Sequence, residues 1–350
     1  MASLVGFRYG SAGADPARTL FVDGTVDGYR SLSHWPGNTT PGPLKRDLST
    51  QICLAWAEAS SSEREALVGS FDEVANNHFD ADGVLSAFSV LQPEISMAHH
   101  DLMVRTAATG DFSIWTGPDA LALELTIMNV TSHPASPLAA ELPADSSNAT
   151  RWEAGYRWLL EQLPALLESP FALQSLWAER HERVCREIAA IDAGSGPRVE
   201  RHAELDLALV SCAHDPTNIA LHHAAGELYR VLLVQPGDDG QRYRFCYRDE
   251  SWFETVDIQA APRVALDDVV AELERREQAA AARHAPSSAA RPAGVGWWAG
   301  TLTDPVVELR HGPGPSGDAF ADDPLLSQDA ASRLPPEEVF DVLSEALRGA

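Results

Sequence analysis

The run Asn76-Asn77-His78-Phe79-Asp80-Ala81-Asp82-Gly83-Val84-Leu85-Ser86-Ala87 sets the reading of the N-terminal part of the chain. Glu73-Val74-Ala75, just before it, is a brief strand-like segment. Val84 to Leu91, just after it, has the apolar content of a helix buried on most sides. Strand, tight loop and helix in that order belong to an α/β arrangement. The loop presents His78, Asp80 and Asp82 at alternate positions, and Gly83 with its small neighbours lets the helix begin close to the sheet. Two carboxylates and an imidazole at one strand end suit a hard or borderline divalent cation, Mn²⁺ or Mg²⁺ before Zn²⁺. No thiol accompanies them, which weighs against a structural zinc site. An Asx turn and helix cap accounts for one aspartate, but not for three polar groups in alternation.

Thr19-Leu20-Phe21-Val22-Asp23 is a short apolar run ending in a carboxylate, followed by Gly24. A buried strand delivers a functional side chain to a sheet edge in this way. The turn Ser33-His34-Trp35-Pro36-Gly37 follows, then a helical spacing of Leu48, Ile52, Ala55 and Trp56 within Leu44 to Glu58. Leu102-Met103-Val104 is expected as a further strand, with Thr109-Gly110-Asp111-Phe112 after a short helix or turn. His99-His100-Asp101 is placed on an exposed turn, and Leu121 to Met128 reads as a helix. Residues 131–150 are rich in Pro, Ser and Ala and read as a linker or long loop. A helical stretch from Arg151 to Ala190 is expected to break near Pro164 and Pro170.

Beyond Glu204 the pattern turns β-rich. Strands are expected at Leu205 to Cys212, Ile219 to His223 and Tyr229 to Val234, the last folded back through Pro236-Gly237-Asp238-Asp239-Gly240 onto Arg242 to Tyr247. Leu266 to Gln278 is an amphipathic helix. Ala279 to Gly294 is an Ala/Ser/Pro-rich loop, Val295 to Leu309 holds one or two strands, and Pro335 to Leu347 is a terminal helix. The expected organisation is an α/β domain over 1–135, a linker and helical connector over 136–200, and a smaller α+β domain over 201–350.

The chain has 350 residues, 45% hydrophobic and 22% charged. This is the composition of a globular protein with length enough for more than one core. Asp+Glu outnumber Lys+Arg by 51 to 26, a formal charge of -25. Long nucleic acid is therefore a poor partner, because phosphate affinity comes from cationic side chains. A small phosphorylated substrate held through metal ions stays compatible. Four scattered cysteines, Cys53, Cys185, Cys212 and Cys246, form no C-x-x-C pair and suggest neither a zinc knuckle nor a disulfide framework. No basic region leads into an apolar run at the N-terminus, and no apolar stretch reaches membrane-spanning length. A cytoplasmic location is the expectation.

His78-x-Asp80-x-Asp82-Gly83-x-x-Ser86-Ala87 resembles the first motif of the DHH phosphoesterase superfamily, with His78 in the first ligand place. That resemblance implies a mostly parallel sheet flanked by helices, a two-metal site at its carboxyl end, and a smaller C-terminal domain that holds substrate. It further implies a second-motif aspartate, which Asp111 in Gly110-Asp111-Phe112 supplies better than Asp101. The Asp-His-His signature itself is not found. Its nearest substitute lies upstream, where Asp23 ends a strand and His34 precedes Trp35-Pro36. His223, in His222-His223-Ala224-Ala225-Gly226, resembles the His…Ala-Ala-Gly element of the superfamily's C-terminal domain.

A second resemblance, to a family of uncharacterised bacterial proteins, rests on Leu32 to Gly37, Asn77 to Gly83, Gly110-Asp111-Phe112 and Tyr247-Arg248-x-Glu250-Ser251-Trp252. It carries no activity. Arg242 to Trp252 packs three arginines and four aromatics into an acidic chain, so Arg244 and Arg248 are candidate phosphate contacts. Together these readings predict a metal-dependent hydrolase of a small phosphoester or phosphoanhydride. His78, Asp80, Asp82, Asp111, His34 and Asp23 are the candidate ligands to Mn²⁺ or Mg²⁺. His34 and Asp82 are the candidate catalytic groups, with His34 as proton donor if it is not a ligand. A biosynthetic or amide-directed metalloenzyme on the same fold, and a non-catalytic binding protein, stay open beside that reading.

Overall fold

A computed structural model describes residues 5–143, 145–283, 295–305, 307–312 and 329–349. The chain divides into two compact units. The first comprises Met1–Arg183 together with Phe253–Gln259, and the second comprises Val184–Trp252 with Ala260–Ala350.

In the first unit, β1 (Gly6–Tyr9), β2 (Thr19–Val22), β3 (Arg30–Leu32) and β4 (Glu73–Asn76) form a sheet in the order β1-β4-β2-β3. Every pairing in it is parallel. Thr19-Leu20-Phe21-Val22 is fully buried, as expected of a strand covered on both faces. Each large apolar side chain there contributes about 1.5–3 kcal/mol of burial. The helices are α1 (Ser49–Glu58), α2 (Ser61–Val68), α3 (Ala81–Leu91), α4 (Pro93–Ala98), α5 (His100–Asp111), α6 (Pro118–Asn129) and α7 (Asn148–Glu168). α3 is the central one, with Val84, Leu85, Ala87 and Phe88 all inaccessible. α7 adds Tyr156, Leu159 and Leu163 to the same core, so this part of the expected connector belongs to the first unit. It runs through Pro164 without a break and ends at Glu168.

Parallel register aligns the carboxyl ends of three strands. Val22 pairs with Leu32, and Phe21 with Ala75. The residues just past those ends, Asp23, Ser33-His34 and Asn77-His78, therefore emerge at one edge of the sheet, where open α/β sheets bind ligands.

The second unit is built on six strands, β5 (Arg198–His202), β6 (Leu207–Ser211), β7 (Arg230–Gly237), β8 (Gly240–Tyr247), β9 (Gly296–Ala299) and β10 (Glu308–Gly312), in the order β5-β6-β7-β8-β10-β9. β6 and β7 are parallel and the other pairings are antiparallel. β7 and β8 form the expected hairpin, closed at Gly237 and Gly240. Tyr243, Phe245, Leu232 and Leu309 pack on one face with α10 (Asp267–Arg283) and α11 (Pro336–Arg348). Ala208, Val210, Val231 and Leu233 pack on the other with Leu221 and Ala225 of α9 (Asn218–Ala225). α8 (Ala178–Asp192) lies between the two sheets in sequence.

Three further expectations are corrected. Leu102-Met103-Val104 is not a strand but part of α5, where Met103 and Ala107 bury one helical turn apart; three apolar residues are too few to fix a period. Ile219 to His223 is α9, started by the Thr217 hydroxyl accepting the Ala220 amide at 3.3 Å, an N-cap that the β reading overlooked. Ala279 to Arg283 continues α10, and the rest of that expected loop, 284–294, lies outside the described residues. Among the described residues no helix is long and apolar enough to cross a membrane.

Candidate metal centre

Asp23 sits one residue past β2 with φ of 46°, a left-handed conformation that Asp tolerates better than most residues and that recurs at functional sites. Its amide donates to the Leu32 carbonyl at 3.0 Å, which ties it to the end of β3. The neighbouring Gly24 amide donates to Ser33 Oγ at 3.0 Å, and so does Trp35 N. One serine hydroxyl thus fixes the spacing between the Asp23 and His34 loops. Asp80 is the N-cap of α3, accepting from Gly83 N at 2.7 Å. Asp82, in the first turn, faces the other way. Its two carboxylate oxygens accept the Ser49 and Thr50 amides at 2.9 and 2.7 Å. Leu48, at the N-cap of α1, has no polar side chain to do this, so the start of α1 is satisfied by a carboxylate from α3.

These loops bring six side chains together in two groups that share one member. Asp23, His34, Asp82 and Asp111 form one group, and Asp23, His78 and Asp80 the other; within each, the potential ligand atoms lie within 4.8 Å of one another. His34 Nε2 is 3.2 Å from Asp111 Oδ2, 3.5 Å from Asp23 Oδ1 and 3.6 Å from Asp82 Oδ2. His78 Nε2 is 2.9 Å from both Asp23 Oδ2 and Asp80 Oδ2. The two oxygens of Asp23 therefore face different groups. The His34 half is sealed, with Asp23, His34 and Asp82 at most 1% exposed. The His78 and Asp80 side chains keep 20% and 30% of their surface, beneath the Trp35 ring at 4.6 Å from that of His78.

The electrostatics follow from crowding. Burial and the Asp23 charge push Asp82 up to about 7. Burial and the Asp82 charge likewise hold Asp111 well above the carboxylate range. Burial alone would raise Asp23 too, but the His78 charge and the close approach of both imidazoles outweigh it and hold Asp23 low. For His34 and His78 burial disfavours the charged ring, yet the surrounding carboxylates prevail and raise both well above the usual histidine range.

Hydrogen bonding tests whether the group fits a cation. His34 Nδ1 lies 2.5 Å from the Asp47 carbonyl oxygen. A carbonyl only accepts, so Nδ1 carries a proton in either charge state, and Nε2 is the nitrogen that faces the cluster, protonated in the metal-free site and available as a ligand once that proton is lost. Nε2 and Asp23 Oδ1 are both buried, and among the described residues neither has a hydrogen-bond partner of good geometry. A ring nitrogen directed at three carboxylates, with the other nitrogen held by a carbonyl, is the arrangement of a metal-ligating histidine. Gly83 is required beside the cluster. A Cβ there would lie 2.5 Å from Asn76 Nδ2, 2.8 Å from the Tyr156 hydroxyl and 3.1 Å from Asp23 Oδ2.

All six candidate ligands thus converge, although Asp111 arrives from the last position of a helix rather than from a strand. His99 sits between α4 and α5, with Asp101 exposed in the first turn of α5; neither belongs to the groups. The candidate substrate contacts are engaged within the second unit. Arg244 donates to Glu308 at 2.6 Å and to Asn218 at 3.1 Å. Arg248 pairs with Glu250 and donates to the Gly226 carbonyl at 2.8 Å. His223 meets Asp192 at 2.8 Å. Sequence reading missed Asp47, whose backbone carbonyl faces His34 Nδ1, and Tyr156, which arrives on a distant helix with its buried hydroxyl unpartnered among the described residues.

Residues 9–350 match a family of unknown function, DUF6687. The chain belongs to that family. No curated protein and no solved structure matches it. The DUF6687 match spans both units and all six side chains, and it brings no activity. A link to the DHH phosphoesterases is not among these findings.

Proposed function

We propose that this DUF6687 protein is a divalent-metal-dependent hydrolase acting on a small or short phosphoester or phosphoanhydride. The observation that carries the reading is the position of Asp23, with Oδ1 toward His34 and Oδ2 toward His78. A carboxylate shared by two ligand groups is what a pair of bridged cations requires. Asp23, His34, Asp82 and Asp111 would hold one ion, and Asp23, His78 and Asp80 the other. Carboxylate and imidazole donors without thiols favour Mn²⁺ or Mg²⁺. Ions held there would supply Lewis acidity and a more acidic water.

The protein's own groups divide the remaining work. His34, with Nδ1 committed to Asp47, serves as ligand rather than proton donor. Asp82 holds the start of α1 while facing the cluster, which ties the site to the core. The partly exposed His78–Asp80 half is the side from which substrate and water arrive, and Trp35 over His78 limits their approach. Small substrates suit a formal charge of -25, since a long polyanion would be repelled.

Purified full-length protein assayed with Mn²⁺ against pyrophosphate, bis-p-nitrophenyl phosphate and other phosphodiesters tests the proposal. Turnover that a chelator abolishes, and that drops by roughly 100-fold or more in Asp80→Ala, supports it. Tight metal binding without turnover on any of these substrates overturns the hydrolase assignment and leaves a binding role.

A further inference from the structure

The segment Phe253–Gln259 leaves the second unit after Trp252 and belongs to the first. It is seated on the residues that hold His34. The Phe253 ring lies nearly parallel to the His34 ring, 3.9 Å away at 17°, and edge-on to Phe112 at 5.7 Å. Glu254 N donates to the His34 carbonyl at 2.7 Å. The Glu254 carboxylate accepts from Gly37 N at 3.1 Å, Asn38 Nδ2 at 2.9 Å and Lys45 Nζ at 3.0 Å. Asp47 does two things. Its carbonyl fixes the His34 tautomer, and its Oδ1 accepts the Val256, Asp257 and Ile258 amides at 2.6, 2.9 and 3.4 Å.

Three amides converging on one carboxylate oxygen form an anion-binding nest, here filled by a side chain more than two hundred residues away in sequence. Besides the Ser49 hydroxyl that accepts His34 N at 3.1 Å, contacts that orient His34 outside the carboxylate cluster come from Asp47, Phe253, Glu254 and Phe112. Glu254 and Lys45 are 42% and 40% exposed, so the outer edge of the strap is held by contacts that contribute little individually.

We infer that the 253–259 strap and Asp47 are positioning residues for the His34 half of the metal centre, so that the seating of the strap and the affinity of that half are one coupled equilibrium. The inference rests on the metal reading above. The coupling is reciprocal by linkage. Seating holds Nε2 toward Asp23, Asp82 and Asp111, and a cation there in turn holds the ring against Phe253.

The test uses full-length protein and Mn²⁺ titrated by calorimetry, with hydrogen exchange of residues 253–259 as second readout. Asp47→Ala keeps the backbone carbonyl and removes the nest. It is expected to weaken one of two Mn²⁺ sites by roughly 10–100-fold, the usual effect of losing a group that orients a ligand, and to leave the other unchanged. In the unsubstituted protein Mn²⁺ should slow exchange of the Val256, Asp257 and Ile258 amides. If Asp47→Ala does not fold, Phe253→Leu and Phe253→Tyr decide, the first weakening the site and the second keeping it. Two sites of unchanged affinity in these variants, with exchange indifferent to Mn²⁺, overturn the coupling and leave the metal centre standing. No Mn²⁺ binding by the unsubstituted protein overturns both.

Discussion

Buried charge is handled in opposite ways by two clusters, one in each unit. In the second, each buried guanidinium of β8 and its continuation has a carboxylate against it, Arg244 with Glu308 and Arg248 with Glu250. In the first, four carboxylates meet two imidazoles, and among the described residues Asp23 Oδ1 and His34 Nε2 have no hydrogen-bond partner of good geometry. Ion pairs of the first kind are complete within the chain. The aspartate cluster is complete only with protons or cations added, because unpaired buried charge costs several kcal/mol per group. On the proposed reading, this difference separates architecture from a metal site.

Four experiments sharpen or break the contrast. The largest effect is expected from Asp23→Ala, which removes the group both halves share. Both Mn²⁺ sites should weaken by more than about 100-fold in calorimetry, whereas Asp80→Ala should spare the His34 half; loss of a single site in Asp23→Ala would show that the halves are independent. Next comes Arg248→Met in the second unit. Leaving Glu250 buried and alone should cost about 3–5 kcal/mol in urea unfolding, Mn²⁺ should not restore it, and a further Glu250→Leu should recover most of it.

Asp111→Asn should do the reverse. Burial and the Asp82 charge disfavour the ionised form of Asp111, so removing that charge should stabilise the metal-free protein by roughly 0.5–2 kcal/mol while reducing the gain in melting temperature from Mn²⁺. A metal-free protein destabilised by this change would place Asp111 among the ordinary ion pairs.

The smallest effect is on pH dependence. Asp82, raised from 3.8 to about 7, keeps a proton in the folded state that the unfolded chain has released. Its contribution to stability therefore falls as pH rises through that window. His34 and His78, raised above 6.5, contribute stability that is lost as pH climbs through their folded values. Asp23, held low, contributes stability lost only as pH falls below 3.8. With a chelator present, melting temperature should decline between about pH 5 and 8. With Mn²⁺ the stabilisation should grow over the same range, because ligands bind cations in deprotonated form. Parallel melts in the two conditions make the check.

Much of the site was legible because its residues carry their own local grammar. Asp23 ends an apolar run, and His78, Asp80 and Asp82 alternate between strand and helix, so residue type and spacing placed them at one sheet edge. Asp111 came only from the resemblance to the DHH second motif, and its place on a helix rather than after a strand was not legible, since Leu102 to Val104 is too short to distinguish helix from strand. What distance in sequence conceals was not legible. Nothing near Asp47 announces three amides from 256–258, and nothing near Phe253 announces the His34 ring. The pairing of Arg244 with Glu308 was equally hidden, and it turns an apparent phosphate contact into an internal ion pair.

Anomalous diffraction from crystals of the full-length protein soaked in Mn²⁺ tests the central claim most directly. The account predicts two peaks about 3.5–4 Å apart on either side of the Asp23 carboxylate, one bounded by His34, Asp82 and Asp111 and the other by His78 and Asp80. Density that shows His34 Nε2 and Asp23 Oδ1 facing each other with no ion between them and their neighbours, at saturating Mn²⁺, would contradict it.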